Sequence, residues 1–278
     1  INTICLKFDT YMKKIIGTVP FLNSHPLTYS IDNNSYKDYK TIKMLPSTLL
    51  KSLVNKESFI SLLSIADHFS NNKVMSLEDY CISSNGKVDS VILISTSKLK
   101  DIKKVILDSR SRSANMLCKV LNQELIPRDI AYDFAYPTSD TKYISEVGYV
   151  IIGDLGLEIV SSRPNGLNIY DLGELWFKET SLPFTFATFN YYGEVPSSEE
   201  INILHESYSE GSKNLSLIVD DFLINSKFKI EKKIAEAYLQ ERIIYKITEK
   251  HLEGINLFNK LSSKFANWEK NSFNNTDK

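Results

Sequence analysis

The segment that most constrains the fold is DSVILIST, residues 89–96, a continuous apolar, β-branched run bounded by polar residues. Such a run reads as a strand buried on both faces. Phe184–Phe189 is a second run of the same kind. Between them the chain carries its own strand–helix–strand pattern. Lys104–Leu107 reads as a strand, DSRSRSAN as a Ser-rich turn and Met116–Leu121 as a helix. Tyr149–Ile152 follows as a strand that ends in Gly153-Asp154. Strands alternating with helices predict an α/β protein with mostly parallel sheets. The two strong strands are then crossings that bracket an inserted lobe. This reading puts lobe 1 at residues 14–92 plus 188–265, lobe 2 at 93–187, and flexible ends at 1–13 and 266–278. Ligands of such folds sit between the lobes, at strand C-termini and helix N-termini.

The flanks supply further elements. Lys14–Val19 is a strand stopped by Pro20, Thr41–Met44 a second strand, and Phe59–Leu63 a buried third. Thr48–Val54 has helical spacing, with Ser47 as its N-cap. Ile169–Leu172 is short and apolar, whereas Leu27–Ser30 and Leu175–Lys178 are too short to assign. Beyond Phe189 the pattern turns helical. Ser197 and Glu200 form a capping box, Ser-x-x-Glu. Ile230, Ile234 and Tyr238 share helical spacing, as do Leu252, Ile255, Phe258, Leu261 and Phe265. There is no internal repeat and no Pro- or Gly-rich linker.

Composition excludes several function classes. The net charge of −1 carries no basic excess or stripe, which argues against a nucleic-acid partner. An anionic ligand would have to be held by local donors. Cys5, Cys81 and Cys118 are far apart and in no metal-type spacing, as expected for reduced thiols in a cytoplasmic protein. No run approaches the ~20 apolar residues of a membrane span, and INTICLKFDTY makes a poor signal peptide. Met12-Lys13-Lys14 resembles a natural start. No cofactor or metal motif is present.

The motifs carry more than the pattern. IGTVPFLNSHPL (16–27) resembles the opening of the chorismate dehydratase family: a strand, an aromatic-Leu pair, Asn, a small residue, a basic residue, then Pro-Leu. ISSNGKVDSVILIS (82–95) resembles its Gly-x-Val-x-Ser-Val strand, LDSRSRSANML (107–117) its Ser-Arg-Thr-Ser segment, and YVIIGDLGL (149–157) its Ile-Gly-Asp block. YDLGELWFKETSLPFTFATF (170–189) resembles its Asp-Leu-Gly…Trp…Leu-Pro-Phe block, and YLQERIIYKITEKHLEGINLF (238–258) its C-terminal helix pair. The blocks stand in family order and cover most of residues 14–265. The resemblance implies a two-lobed periplasmic-binding-protein-like (type II) fold, with mixed sheets, helices on both faces and a cleft between lobes. It also implies dehydration of chorismate, the first step of menaquinone biosynthesis by the futalosine route. The chain departs from the family at His25 (usually Arg), at Ser113-Ala114 (usually Thr-Ser), at Ser181 (usually Gly) and at Ser58–Ser61, where Asp-Val-Ala-Leu is usual.

Chorismate carries a ring carboxylate, an enolpyruvyl ether with its own carboxylate, and a hydroxyl on the neighbouring carbon. Dehydration removes the proton from the ether-bearing carbon and that hydroxyl, and the ring becomes aromatic. The site needs donors on the ring carboxylate, a base near the proton and help for the leaving hydroxyl. Asn23 is the first candidate, as the catalytic residue; its alternative is an Asx-turn. Ser111, Arg112 and Ser113 stand at a helix start, where hydroxyls and N–H groups bind carboxylates; the alternative is an N-cap beside an exposed Arg. Ser84, Asn85 and Gly86 precede the crossing strand and serve either as substrate contacts or as a plain Asn-Gly turn. Asp154 contacts the leaving hydroxyl or caps a helix, and Ser47 contacts a carboxylate or serves as an N-cap. His25 is a poor base, and His68, His205 and His251 look like surface residues. No carboxylate or His stands out as the general base, so the enolpyruvyl carboxylate of the substrate is expected to take the proton. Phe21, Tyr170, Trp176 and Phe184 either wall the cleft or pack the core.

Four other readings compete. A 1,4-dihydroxy-6-naphthoate synthase would open with a Pro-Asn-Asp-Thr turn, where this chain has Leu22–Pro26. A solute-binding protein would carry an export signal. The effector half of a transcription regulator would follow a helix-turn-helix and carry basic charge. A non-catalytic relative binding chorismate or a similar acid stays open because of His25 and Ala114.

Overall fold

The computed structural model describes residues 13–265. The ends expected to be flexible, apart from Lys13, lie outside the described residues, as do Cys5 and the start at Met12. In chain order the elements are β1 (Lys14–Thr18), α1 (His25–Asp32), β2 (Tyr39–Lys43), α2 (Pro46–Val54), β3 (Ile60–Ser64), α3 (Ile65–Ser70) and β4 (Val74–Ser84). Then come β5 (Val91–Ser95), β6 (Lys104–Asp108), α4 (Arg112–Val120), β7 (Ala131–Ala135), β8 (Val147–Ile152), α5 (Gly153–Ser162), β9 (Asn168–Asp171) and α6 (Leu172–Thr180). The chain closes with β10 (Phe184–Tyr192), α7 (Ser198–Lys213), α8 (Leu215–Asn225), α9 (Lys232–Ala237), β11 (Ile244–Lys246) and α10 (Glu249–Ser262).

These strands form two sheets, ordered β11-β4-β10-β3-β1-β2 and β7-β6-β8-β5-β9. The sheets are mixed rather than mostly parallel. β1 runs parallel to β2 and β3, and β6 parallel to β7 and β8. β10 runs against β3 and β4, β11 against β4, and β5 against β8 and β9. The antiparallel strands β10 and β5 are the two strong apolar runs.

β5 is continuous in sequence because both of its faces are covered. Val91 and Leu93 join the main core, while Ile92 and Ile94 pack with Tyr149, Ile151, Leu155 and Ile159 under α5. β5 lies wholly in the second sheet and β10 wholly in the first. We therefore place the lobe boundaries at residues 85–90 and 172–183, in place of those expected at 92/93 and 187/188. The two crossings are tied together by Asp171. Its Oδ2 accepts from the N–H groups of Val88 at 2.9 Å and Asp89 at 2.6 Å, and its Oδ1 caps α6 at Glu174 N–H. Burial pushes the Asp171 pKa up to about 6, against these hydrogen bonds.

Other local expectations shift for physical reasons. α2 starts at Pro46, so Ser47 lies inside its first turn, exposed, and caps nothing. The Leu27–Ser30 stretch is helical, and α1 buries Thr28 and Ser30 as well as Leu27 and Ile31. β4 escapes detection because exposed Met75, Glu78 and Asp79 break the apolar pattern of its first half. The Ser197–Glu200 capping box forms as expected. His251 is buried and caps α10 with Thr248, and His68 Nδ1 sits 2.8 Å from Asn190 Oδ1, so neither is a surface residue.

α1 lies tightly on α7. The Ser30 N–H donates to Ser207 Oγ at 3.1 Å, and a Cβ on Gly211 would stand 2.1 Å from the Pro26 carbonyl oxygen. Backbone cannot yield as a side-chain tip can. Gly211→Ala is expected to force the two helices apart at a cost of about 1–3 kcal/mol, read as a lowered urea midpoint.

Candidate active site

Between the sheets lies a partly open, mostly apolar cleft, the kind of place where such folds hold small molecules. It sits where strands of both sheets end. Val19, Phe21 and Asn23 reach it from the segment after β1, and Leu62 and Ser64 from β3. Val88, Ser90 and Val91 enter from the outgoing crossing, Ser111 and Ser113 from the start of α4, and Ile152 and Gly153 from the β8–α5 junction. Phe186 and Ala187 come from β10. The pairing of β10 with β4 slips between Thr185 and Ala187, and Phe186, the residue at the slip, faces the cleft.

Among the described residues the lining is apolar apart from one amide and four serine hydroxyls, and none of these lining side chains is ionisable. Ser111 Oγ is the N-cap of α4 and accepts from Ala114 N–H at 3.2 Å. Ser113 Oγ accepts from Ala66 N–H at 3.1 Å, in α3, which packs against α4. Ser90 Oγ accepts from Tyr238 Oη at 2.8 Å. Each of the three oxygens thus holds a donor, and each hydroxyl proton remains for a ligand. Ser64 differs: it caps α3 and donates to Asp67 Oδ2 at 2.7 Å. Asn23 Nδ2 donates to Tyr238 Oη at 2.8 Å, while Asn23 Oδ1 is buried with no partner. The site therefore offers donors to anionic oxygen at a helix N-terminus, and one buried acceptor.

Of the residues expected from sequence, Asn23, Ser111 and Ser113 line this cleft and the others do not. Arg112 points away and pairs with the buried Asp67 at 2.5 Å, so it braces α4 against α3. Ser84 Oγ donates to the Gly86 carbonyl at 2.9 Å, Asn85 is exposed, and Gly86 takes φ +100°. These three build the crossing turn, as the Asn-Gly alternative has it. Ser47 is exposed at the start of α2, whose Pro46 is the lining residue. His25 opens α1, stacks edge-on against Phe222 and is absent from the lining; burial lowers its pKa to about 4. Ala114 is buried behind Ser111. Of the aromatic candidates Phe21 lines the cleft. Trp176 and Phe184 pack in the core, and Tyr170 Oη accepts from Leu99 N–H. Sequence reasoning missed Ser64, Ser90, Phe186 and Tyr238. Ser90 had a readable signal, as a small polar residue at the mouth of an all-apolar strand.

Asp154 does not reach the cleft but shapes it. Its Oδ1 accepts from Leu22 N–H at 3.0 Å, holding the segment that presents Phe21 and Asn23. Phe21 in turn lies on Gly153: a Cβ there would come within 2.7 Å of the ring, and its φ of +64° favours glycine.

A family model described as menaquinone biosynthesis matches residues 15–264. The chain belongs to this family. A chorismate dehydratase of Thermus thermophilus is 24% identical over 225 residues, 74% of this chain and 80% of that protein. A chorismate dehydratase of Campylobacter jejuni is 25% identical over 253 residues, 88% of this chain and 95% of that protein. A Candida albicans protein described as having the generic periplasmic binding protein fold superposes with a TM-score of 0.62 at 12% identity, over 92% of this chain and 94% of its own. The fold of this family member is thus the two-lobed α/β fold of periplasmic binding proteins.

Burial raises the Asp154 pKa to about 7, opposed by the Leu22 hydrogen bond. Between the unfolded value near 3.8 and about 7 the folded state binds the extra proton, so this residue's contribution to stability falls as pH rises and levels off above about 7. Asp154→Asn keeps an acceptor for Leu22 and removes the titration. Urea unfolding at pH 5 and pH 8 should show the wild type losing about 2–3 kcal/mol more than the variant over that interval.

Proposed function

We propose that the chain is a chorismate dehydratase. It would remove water from chorismate to give 3-[(1-carboxyvinyl)oxy]benzoate, the first step of the futalosine route to menaquinone. Family membership and the relatives that bear this name support the reading. The observation that carries it is the lining: free hydroxyl protons of Ser90, Ser111 and Ser113 in an apolar cleft, with no ionisable side chain among the lining residues.

Each part of the reaction then has a group. Ser111 and Ser113, at the start of α4, hold the ring carboxylate and stabilise the charge that enters it as the proton leaves the ether-bearing carbon. The enolpyruvyl carboxylate, held beside that carbon, accepts the proton. Asn23 acts at the leaving hydroxyl. The same proton completes the departing water, and the ring becomes aromatic. A chorismate analogue without the enolpyruvyl carboxylate should not turn over; normal turnover of it would rule out this proton acceptor. His25 and Ala114, two of the departures from the family pattern, stand outside the lining, and Ser113, a departure within it, keeps a hydroxyl there. The proposal includes a cytoplasmic location, in keeping with the unpaired, buried thiols of Cys81 and Cys118. Among the described residues no helix is long and apolar enough to cross a membrane.

Mixing the purified protein with chorismate should yield a new aromatic product lighter by one water, resolved by mass-detected chromatography. Asn23→Ala should lower kcat by about a hundredfold or more with the fold retained. Unchanged chorismate from a folded protein that still binds it would favour a non-catalytic binding protein.

A further inference from the structure

The lining rests on a hydroxyl that is not part of it. Tyr238 opens a single π-helical turn (Tyr238–Arg242) directly after α9, a feature common near functional sites. It is 2% exposed. Its Oη accepts from Asn23 Nδ2 and donates to Ser90 Oγ, both at 2.8 Å. A buried tyrosine hydroxyl usually finds a hydrogen-bond partner; here both partners are side chains of the cleft lining.

The direction of this chain follows from its chemistry. An amide NH₂ only donates, so the phenol accepts there and spends its one proton on Ser90. Burial pushes the Tyr238 pKa well above the usual phenol range, so that proton stays in place. With Nδ2 committed, Asn23 presents Oδ1, which is buried and unpartnered. Ser90, already accepting, presents its own proton. The two ends of the chain therefore offer one acceptor and one donor to the same cavity, the complement of a single alcohol group.

We infer that Tyr238 is a positioning residue that sets Asn23 as acceptor and Ser90 as donor for one ligand hydroxyl. The inference rests on the dehydratase reading, in which that hydroxyl is the one chorismate loses. Asn23 Oδ1 accepts its hydrogen bond and orients it. Ser90 donates to its oxygen, where negative charge gathers as the carbon–oxygen bond breaks. The bonds balance without a co-reactant. A C–H and the neighbouring C–O break, a C=C forms, and the proton released from carbon leaves with the hydroxyl as water. Tyr238 and Ser90 end as they began.

The test is Tyr238→Phe, with kcat, KM, thermal midpoint and the inhibition constant of the product measured together. The product lacks the hydroxyl in question but keeps both carboxylates. The expected result is a drop in kcat of about tenfold to a hundredfold, with the product inhibition constant within about threefold of wild type. A merely structural tyrosine would weaken product binding in parallel. Ser90→Ala should cost about as much, and the double variant no more than the larger single. Unchanged kcat, parallel loss of product affinity, or losses that multiply would each overturn the inference. If Tyr238→Phe does not fold, Ser90→Ala carries the same comparison of kcat with product affinity. A wild type inert toward chorismate would remove the dehydratase reading and this inference with it. An active wild type with an unimpaired Tyr238→Phe would remove the inference alone.

Discussion

Two lobes joined by two passages of chain share a defined cleft only if the passages are held side by side, and the Asp171 carboxylate does this. One oxygen gathers two successive N–H groups of the outgoing crossing, and the other caps the helix that begins the return. Val88 and Ser90, which line the cleft, sit on the clamped segment. Asp89 carries two more ties, to Lys87 at 2.7 Å and to Arg242 at 2.8 Å. The Arg242 contact attaches the crossing to the π-turn that begins at Tyr238. The position of Ser90 relative to Asn23 is thus set by bonds made outside the cleft, by residues that never meet the ligand.

That division of labour runs through the whole site. Ionisable side chains beside the cleft are engaged with protein: Arg112 with Asp67, Asp154 with the Leu22 N–H. What faces the cavity is neutral. Hydroxyls and a helix start can bind a carboxylate without a competing counter-ion, because their dipoles are fixed before the ligand arrives. A lysine or histidine in the same place would offer the substrate a second proton acceptor or donor and blur the sequence of events. The apolar walls strengthen each hydrogen bond by keeping water away.

Much of this was legible in the sequence, and the parts that were not have identifiable causes. The apolar strands β3, β5, β8 and β10 announce themselves because both of their faces are buried. β4 does not, because Leu77–Asp79 interrupt its pattern, with Glu78 in the left-handed region. α1 hides because it buries Thr28 and Ser30, hydroxyls that composition assigns to surface. In the site, Asn23, Ser111 and Ser113 were within reach, since they flank a strand end and a helix start. Arg112 was misplaced because one helical position turns a side chain from the cleft to the flank. Ser84, Asn85 and Gly86 form the turn that their own propensities describe. Tyr238 shows in the sequence only its helical spacing with Ile230 and Ile234, and by burial it is a core residue; only the three-dimensional partners of its hydroxyl distinguish it, and these lie far away in sequence.

The return of the chain from lobe 2 places Phe184 opposite Ser84 in the first sheet, one strand spacing away. β10 fills the gap between β4 and β3, so the first sheet has a hole in its middle until residues 184–192 exist. The second sheet has no such dependence, since every strand it needs lies between β5 and β9. During synthesis from the N-terminus, the inserted lobe can therefore complete its sheet on the ribosome while the segments of the lobe begun first remain unjoined. The last strand to arrive, β11, closes the far edge of the earlier lobe. A chain ending between Asp171 and Phe184, once free of the ribosome, would hold every strand of the second sheet and lack the middle strand of the first.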